Sequence, residues 1–246
     1  LIRDCTQVDF VDYAADQYPI FIDPARRAGS RSPDGARALP ERDPERWSPS
    51  LSFVTALANR FQIYMKAAPA FAPPQGWAQF MISVDGSLIE MFTTNAMTGV
   101  YAVMIDSHTE QTHVISASQN PTESAAIDIC VGGILYELDP AITRAGLTQQ
   151  VAGELGISPA GEKGIWLFGT SPVPFAHARK YAVHDHFPVK ELKSRVAHLP
   201  GIALKTKDSR RGVKELRKTS GKNDHNEWAV VVLGSGASEQ AVLVQR

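Results

Sequence analysis

The sequence predicts an α+β fold, in which one antiparallel β-sheet carries three to four helices packed on it. Three observations lead to this prediction. Residues 77–118 read as four strands joined by short loops, which is typical of an antiparallel meander. Two apolar runs at 228–233 and 241–244 flank a glycine-rich turn, which indicates a C-terminal hairpin that extends the same sheet. Elsewhere, apolar residues recur at helical spacing.

The meander begins with an alternating strand. Phe80, Ile82 and Val84 fall on one face, and the pair Asp85–Gly86 then supplies the residue types of a tight hairpin turn. Asp85 fits the role of a turn residue, whose side chain binds the backbone of the turn. The alternative is a carboxylate pair with Glu90 across the hairpin, as acid/base or metal chemistry would need.

Helices are expected where capping residues precede apolar residues at a period of about 3.6. Ser48 followed by Pro49 indicates a helix start, and Gly156 indicates a helix end. Short strands are expected at 19–22 and 164–169, each rich in apolar residues. The predicted helices cover about 6–17, 48–66, 121–138, 139–155, 188–199 and 208–218.

A single domain over 1–246 is expected, since 246 residues can bury a sizeable core without disulfides. One stretch differs from the rest in composition. Residues 25–47 contain six arginines and three prolines and almost no large apolar residue, so they are predicted to be an exposed or disordered loop.

Composition excludes several classes of protein. With 43% apolar and 21% charged residues, the chain belongs to the ordinary globular class. Its two cysteines fit no zinc or CxxC spacing, and no apolar run approaches the roughly 20 residues that span a membrane. The sequence begins at Leu1 without a methionine, which indicates a processed chain or a fragment. A soluble protein is expected, with the cytoplasm favoured as its location.

Charge is segregated along the chain. Residues 177–222 hold thirteen Lys and Arg against four Asp and Glu, although the whole chain has a net charge of −1. Such a segment can neutralise several phosphates, so it predicts binding of nucleic acid or another polyanion. The alternative is a solvated face or an intramolecular partner for the acidic remainder. The residues predicted to bind are Arg179, Lys180, Lys190, Lys193, Arg195, Lys205, Lys207, Arg210, Arg211, Lys214, Arg217 and Lys218.

Three histidines lie within ten residues of the same segment and predict a second kind of site. His184 and His186 share one face of an extended strand, because side chains alternate with period two. Two imidazoles with a carboxylate from elsewhere could bind a divalent metal. His177, His184 and His186 are therefore the candidate catalytic residues of a metal-dependent hydrolase or nuclease. A third hypothesis is a protein-interaction or inhibitor module, whose arginine-rich loop and acidic helix contact a protein partner.

Overall fold

A computed structural model describes residues 18–25, 41–118, 128–161, 163–199, 202–206, 227–234 and 239–245. Strands account for 43% and helices for 18% of the structure. The predicted fold class is therefore wrong, because the strands dominate and form two mixed sheets with parallel pairs. Contacts group the chain into an N-terminal unit, Leu1–Ser116, and a C-terminal unit, Ala117–Arg246. The single domain expected over 1–246 stays a prediction.

The N-terminal unit contains a six-stranded sheet of order β1-β2-β4-β3-β5-β6. A 3₁₀ turn at Pro44–Arg46 and helix α1 at Leu51–Ala58 lie between the first two strands in sequence. The strands are β1 Ile20–Ile22, β2 Ile63–Ala67, β3 Ala78–Val84, β4 Ser87–Thr94, β5 Val100–Asp106 and β6 Gln111–Ser116.

The four strands predicted over 77–118 are present as β3 to β6, but they do not form a meander. β3 and β4 form the expected hairpin, with positive φ angles of 50° at Asp85 and 73° at Gly86. β5 then pairs in parallel with β3 instead of antiparallel with β4. The connecting loop makes this possible because it passes the start of β3, where Ala78 N donates to Met97 O (3.0 Å) and Gln79 N donates to Gly99 O (2.9 Å).

The range 48–66, predicted to be one helix, contains the helix α1 followed by the start of the strand β2. Ser50, not Ser48, caps α1, and the helix ends at Ala58. Asn95 bridges the helix end and the next strand, because its Nδ2 donates to Ala58 O and Phe61 O (both 3.0 Å) and its Oδ1 accepts from Ile63 N (2.7 Å). β2 then follows with alternate residues buried, and it pairs in parallel with β1.

The C-terminal unit contains a seven-stranded sheet of order β11-β12-β13-β10-β7-β9-β8. Its helices are α2 Pro140–Arg144, α3 Thr148–Leu155 and α4 Leu192–Val196, and a 3₁₀ turn covers Val189–Glu191. The strands are β7 Ile134–Leu138, β8 Ser158–Ala160, β9 Trp166–Gly169, β10 Ala178–Pro188, β11 Ala203–Lys205, β12 Trp228–Leu233 and β13 Gln240–Gln245.

Two predictions for this unit need correction. The end of the helix predicted over 121–138 is the strand β7. Directly before this strand, Gly133 packs so closely that a Cβ atom would overlap the Phe168 ring. The C-terminal hairpin is confirmed, since β12 and β13 pair antiparallel. However, it belongs to the sheet of the C-terminal unit and does not extend the sheet of β3 to β6.

Both faces of the C-terminal sheet are packed. One face, here called the Trp166 face, buries Trp166, Phe168, Tyr181 and Val183 with side chains of β12 and β13. The opposite face, here called the α4 face, buries Phe187 against α4 and the strand β12. Gly156 ends α3 as predicted, with φ +64° in the left-handed region. The predicted segments 6–17, 208–218 and most of 25–47 lie outside the described residues.

Candidate functional site

The histidine pair does not share a face, because β10 contains a β-bulge. Val183 pairs with Val244 and Asp185 pairs with Leu243, so His184 is an extra residue in the strand. The bulge shifts the side-chain alternation. His184 lies beside Trp228 of the α4 face (ring centroids 4.6 Å apart), whereas His186 pairs with Val242 of the Trp166 face.

His177 lies just before β10, with its ring edge-on to Phe175 at 5.5 Å between centroids. Within the described residues, no group of three or more His, Cys, Asp or Glu side chains could hold a metal ion. The structure therefore does not bring His177, His184 and His186 together with a carboxylate in the arrangement that a metal-dependent hydrolase needs.

Half of the predicted polyanion-binding residues can be placed, and several have partners within the chain. Lys180 Nζ donates to Val173 O (2.8 Å), and Arg195 bridges Glu191 (3.2 Å) and Asp185 (3.5 Å). Three more of the described cations are exposed, namely Arg179, Lys190 and Lys193. Residues Lys207, Arg210, Arg211, Lys214, Arg217 and Lys218 lie outside the described residues.

Lys205 belongs to a half-buried polar cluster that the sequence did not reveal. Its Nζ atom lies 2.7 Å from Glu137 Oε2, which also accepts from Tyr181 Oη at 3.0 Å. The ammonium lies 5.8 Å from the centroid of the Trp166 ring and 5.2 Å from that of Tyr181. The only sequence feature that points to this cluster is Glu137, the single acidic residue of the otherwise apolar strand β7. This cluster joins strands from distant parts of the chain and stabilises the sheet.

A second polar group lies at one edge of the N-terminal sheet. β1, β2, β3 and β5 run in the same direction, so their carboxyl ends meet at one edge. There Lys66 Nζ lies 3.2 Å from Glu90 Oε2 and 3.7 Å from Asp23 Oδ2. We call these three residues the carboxyl-edge triad. The Asp23 side chain is 53% exposed, so it can accept hydrogen bonds from a ligand. Ligands of open sheets with parallel strands bind at this edge.

Asp85 lies at the same edge but has a structural role. Its carboxylate accepts from Ser107 N (2.9 Å) and Ser107 Oγ (2.6 Å), and these hydrogen bonds lower the pKa of Asp85. The turn interpretation is therefore favoured over the pair with Glu90, which instead contacts Lys66. Asp106 likewise accepts from the backbone amides of Thr109 and His108, which lower its pKa.

One face of the same sheet carries a row of aromatic rings, which the sequence analysis did not identify. The rings contact one another from strand to strand, with centroids 4.6 to 6.4 Å apart. We call this surface the aromatic face. Across β1, β2, β4, β3 and β5 it consists of Phe21, Tyr64, Phe92, Phe80 and Tyr101.

Comparison with known proteins bears on the fold. No family model and no curated protein matches the sequence. Among solved structures, the chain is similar to the crystal structure of a "putative methyltransferase" from Porphyromonas gingivalis W83, with a TM-score of 0.66 and 16% identity. The match covers 93% of this chain but 59% of the P. gingivalis chain, so this chain spans about three fifths of that protein. The likeness shows that this chain shares the fold of the matched part of that protein.

This finding corrects the predicted function. The structural comparison supports a fold shared with a protein named as a putative methyltransferase, and it gives no support to nucleic-acid binding or to a hydrolase. The cations and histidines of 177–222 are therefore no longer assigned to those functions. Within the described residues, no helix is both long and apolar enough to cross a membrane.

Proposed function

We propose that this chain is part of a methyltransferase and that the carboxyl-edge triad contacts the group that receives the methyl. The observation that carries the proposal is the position of Asp23, an exposed carboxylate directly after a parallel strand of a methyltransferase-like fold. This edge of the sheet is where ligands bind in folds with parallel strands. The activity named for the P. gingivalis protein supplies the reaction class.

The chemistry of the triad suits an acceptor that carries an N–H or O–H group. When a methyl group passes to such a nitrogen or oxygen, the bond between the methyl carbon and the donor breaks, a bond from that carbon to the acceptor atom forms, and the acceptor loses its proton. Asp23 can orient the acceptor by accepting its hydrogen bond, and a carboxylate can receive the proton. Lys66 holds both carboxylates of the triad in place, because it pairs with each of them.

The residues of the triad fit the acceptor and are not assigned to the methyl donor. A donor such as S-adenosylmethionine, when bound, supplies an electrophilic methyl group. Dinucleotide sites commonly use a glycine-rich loop between a strand and a helix. Within the ranges that the structure describes, no glycine-rich loop joins a strand to a helix. We therefore assign none of the described residues to the methyl donor.

Transfer of radiolabel tests the proposal. The chain is incubated with S-[methyl-³H]adenosylmethionine and a dialysed bacterial lysate as the source of acceptors, with the P. gingivalis protein as a reference. We expect incorporation above the blank without protein and a loss of at least tenfold in Asp23→Asn. The matched control is Asp128→Asn, which alters an exposed carboxylate of the C-terminal unit and should leave incorporation unchanged. No incorporation above the blank, or equal incorporation by both variants, would contradict the proposal.

A further inference from the structure

The half-buried cluster around Lys205 has the composition of a binding site for an organic ammonium ion. Two of its walls are the rings of Trp166 and Tyr181, whose centroids lie 6.0 Å apart with an angle of 62° between the ring planes. The third wall is the Glu137 carboxylate, which accepts a hydrogen bond from Tyr181 Oη at 3.0 Å. Aromatic rings attract ammonium groups through their faces, and a carboxylate adds the opposite charge. We call Glu137, Trp166 and Tyr181 the cation cage.

None of the three walls belongs to the strand that supplies the lysine. β10, β7 and β9 are neighbours in the sheet, and Glu137 of β7 pairs directly with Trp166 of β9. Lys205 belongs to β11 at the far edge, beyond β13 and β12. The rings of Trp166 and Tyr181 are buried in the core of the Trp166 face, so packing fixes their positions. The cation cage is therefore built by interior strands, and the lysine reaches it from an edge.

An alkylammonium group occupies the cation cage in the structure, because the Lys205 side chain ends there. Its Nζ atom lies over both rings, 5.8 Å from the centroid of Trp166 and 5.2 Å from that of Tyr181, and 2.7 Å from Glu137 Oε2. The side chain is 22% exposed, so solvent reaches part of the path that its stem follows. The strand that carries it, β11, has three residues and pairs in parallel with β12. The chain itself thus shows which chemical group the cage accepts.

We infer that the cation cage is a binding site for alkylammonium ions, which Lys205 fills from within the chain. The ligand class is a small primary amine or the lysine side chain of another polypeptide, since both end in the same group. In the wild type such a ligand has to displace Lys205, which its own strand holds beside the cage at a high effective concentration. Removal of the lysine stem should therefore raise the affinity for the ligand at least tenfold. The inference does not depend on the carboxyl-edge triad, which belongs to the N-terminal unit.

Titration of Lys205→Ala with n-butylammonium chloride tests this inference. Binding is followed by the indole ¹⁵N–¹H signal of Trp166, which Trp166→Phe assigns, and sodium chloride at equal concentration controls for ionic strength. We expect a saturable shift in Lys205→Ala, and at least tenfold weaker binding in the wild type and in Lys205→Ala/Glu137→Gln. Lys190→Ala removes an exposed lysine of the same unit and should behave like the wild type. A blocked Gly-Lys-Gly peptide, titrated in the same way, distinguishes the lysine side chain of a polypeptide from a small amine as the source of the group.

A second measurement uses the wild type, so it does not require Lys205→Ala to fold. In protein labelled with ¹³C at the lysine Cε atoms, one ε-methylene signal should be shifted upfield by the rings of Trp166 and Tyr181 and should vanish in Lys205→Arg. Absence of that shifted signal would overturn the inference, because the ammonium group would then not lie against the rings. For Lys205→Ala that circular dichroism shows to be folded, two further results would overturn it. These are the lack of a saturable shift with n-butylammonium and an equal affinity after Glu137→Gln is added.

Discussion

Lys205 Nζ lies 2.7 Å from Glu137 Oε2, although three strands separate β11 from β7 in the sheet. Neighbouring strands are about 4.8 Å apart, so a flat sheet would place these two strands roughly 19 Å apart. The contact therefore requires the sheet to curl around the Trp166 face. The ion pair stabilises the curled form of the sheet, since it joins the edge strand β11 to the interior strand β7.

Lys205→Met should destabilise the C-terminal unit by about 3 kcal/mol, because it leaves the Glu137 carboxylate buried without its cation. Glu137 is 8% exposed and Lys205 is 22% exposed, so water screens the pair only in part. The free energy of unfolding is measured by urea denaturation. Lys190→Met alters an exposed cation of the same unit and should change the free energy by less than about 0.5 kcal/mol.

A double-mutant cycle separates the energy of the Lys205–Glu137 ion pair from the other effects of Lys205→Met. Glu137→Gln removes the charge of the partner, so Lys205→Met should cost less in that background than in the wild type. Equal costs in the two backgrounds would mean that the lysine stabilises the sheet through packing alone.

Gly133→Ala should be strongly destabilising for a steric reason. The new Cβ atom would overlap the Phe168 ring, which is fully buried and has no room to move. Overpacking of this kind costs roughly 1 to 3 kcal/mol or more. Gly146→Ala is the matched control, because its φ of +72° is strained for alanine but nothing lies within 4 Å of the added atom. Urea denaturation should rank Gly133→Ala as the more harmful, and the opposite order would contradict the predicted overlap.

Asp85 should make the N-terminal unit sensitive to acid. The hydrogen bonds from Ser107 lower the folded-state pKa of Asp85 below its usual 3.8. A lowered pKa contributes stability that is fully present above about pH 4 to 5 and is lost as the pH falls through the folded-state value. Asp85→Asn removes this dependence. Urea midpoints measured from pH 2.5 to 7 should thus fall less steeply in the variant than in the wild type below pH 4. Parallel curves for Asp85→Asn and the wild type would contradict the assignment.

Local sequence signals predicted where individual strands lie better than they predicted which strands pair with each other. The Asp85–Gly86 turn and the alternation of β3 identify a hairpin, because both are encoded within a few adjacent residues. The pairing of β5 with β3 depends instead on the path of the loop after Thr94, which no periodicity records. The end of α1 was missed for a similar reason, since the side chain that bridges it to β2, Asn95, lies 37 residues beyond Ala58.

The candidate sites follow the same pattern. The carboxyl-edge triad joins Asp23, Lys66 and Glu90 from three separate parts of the chain, so no spacing in the sequence marks it. For the histidine pair, in contrast, the sequence spacing predicted a shared face that the structure does not have. His184 and His186 have the spacing of one strand face, but that expectation assumes a regular strand, and β10 is irregular at that point.

Deletion of His184 should cost no more than its substitution, because His184 is the extra residue of the bulge and its removal leaves a regular strand. Val183 packs on the Trp166 face and Phe187 packs on the α4 face, which regular alternation over four residues does not allow. The extra residue in the bulge resolves this conflict. With His184 deleted, Val183 and Phe187 are three positions apart, so regular alternation places them on opposite faces and each keeps its core.

His184→Ala keeps the extra residue and removes only the ring contact with Trp228, which should cost about 1 kcal/mol. Urea denaturation of both variants gives the comparison, and hydrogen exchange of β10 and β13 locates the change. We expect the deletion to leave the amides of both strands protected, since the pairs on either side of the bulge keep their register. A deletion that exposed these amides, or that cost several kcal/mol more than the substitution, would contradict the assignment of His184 as the extra residue of the strand.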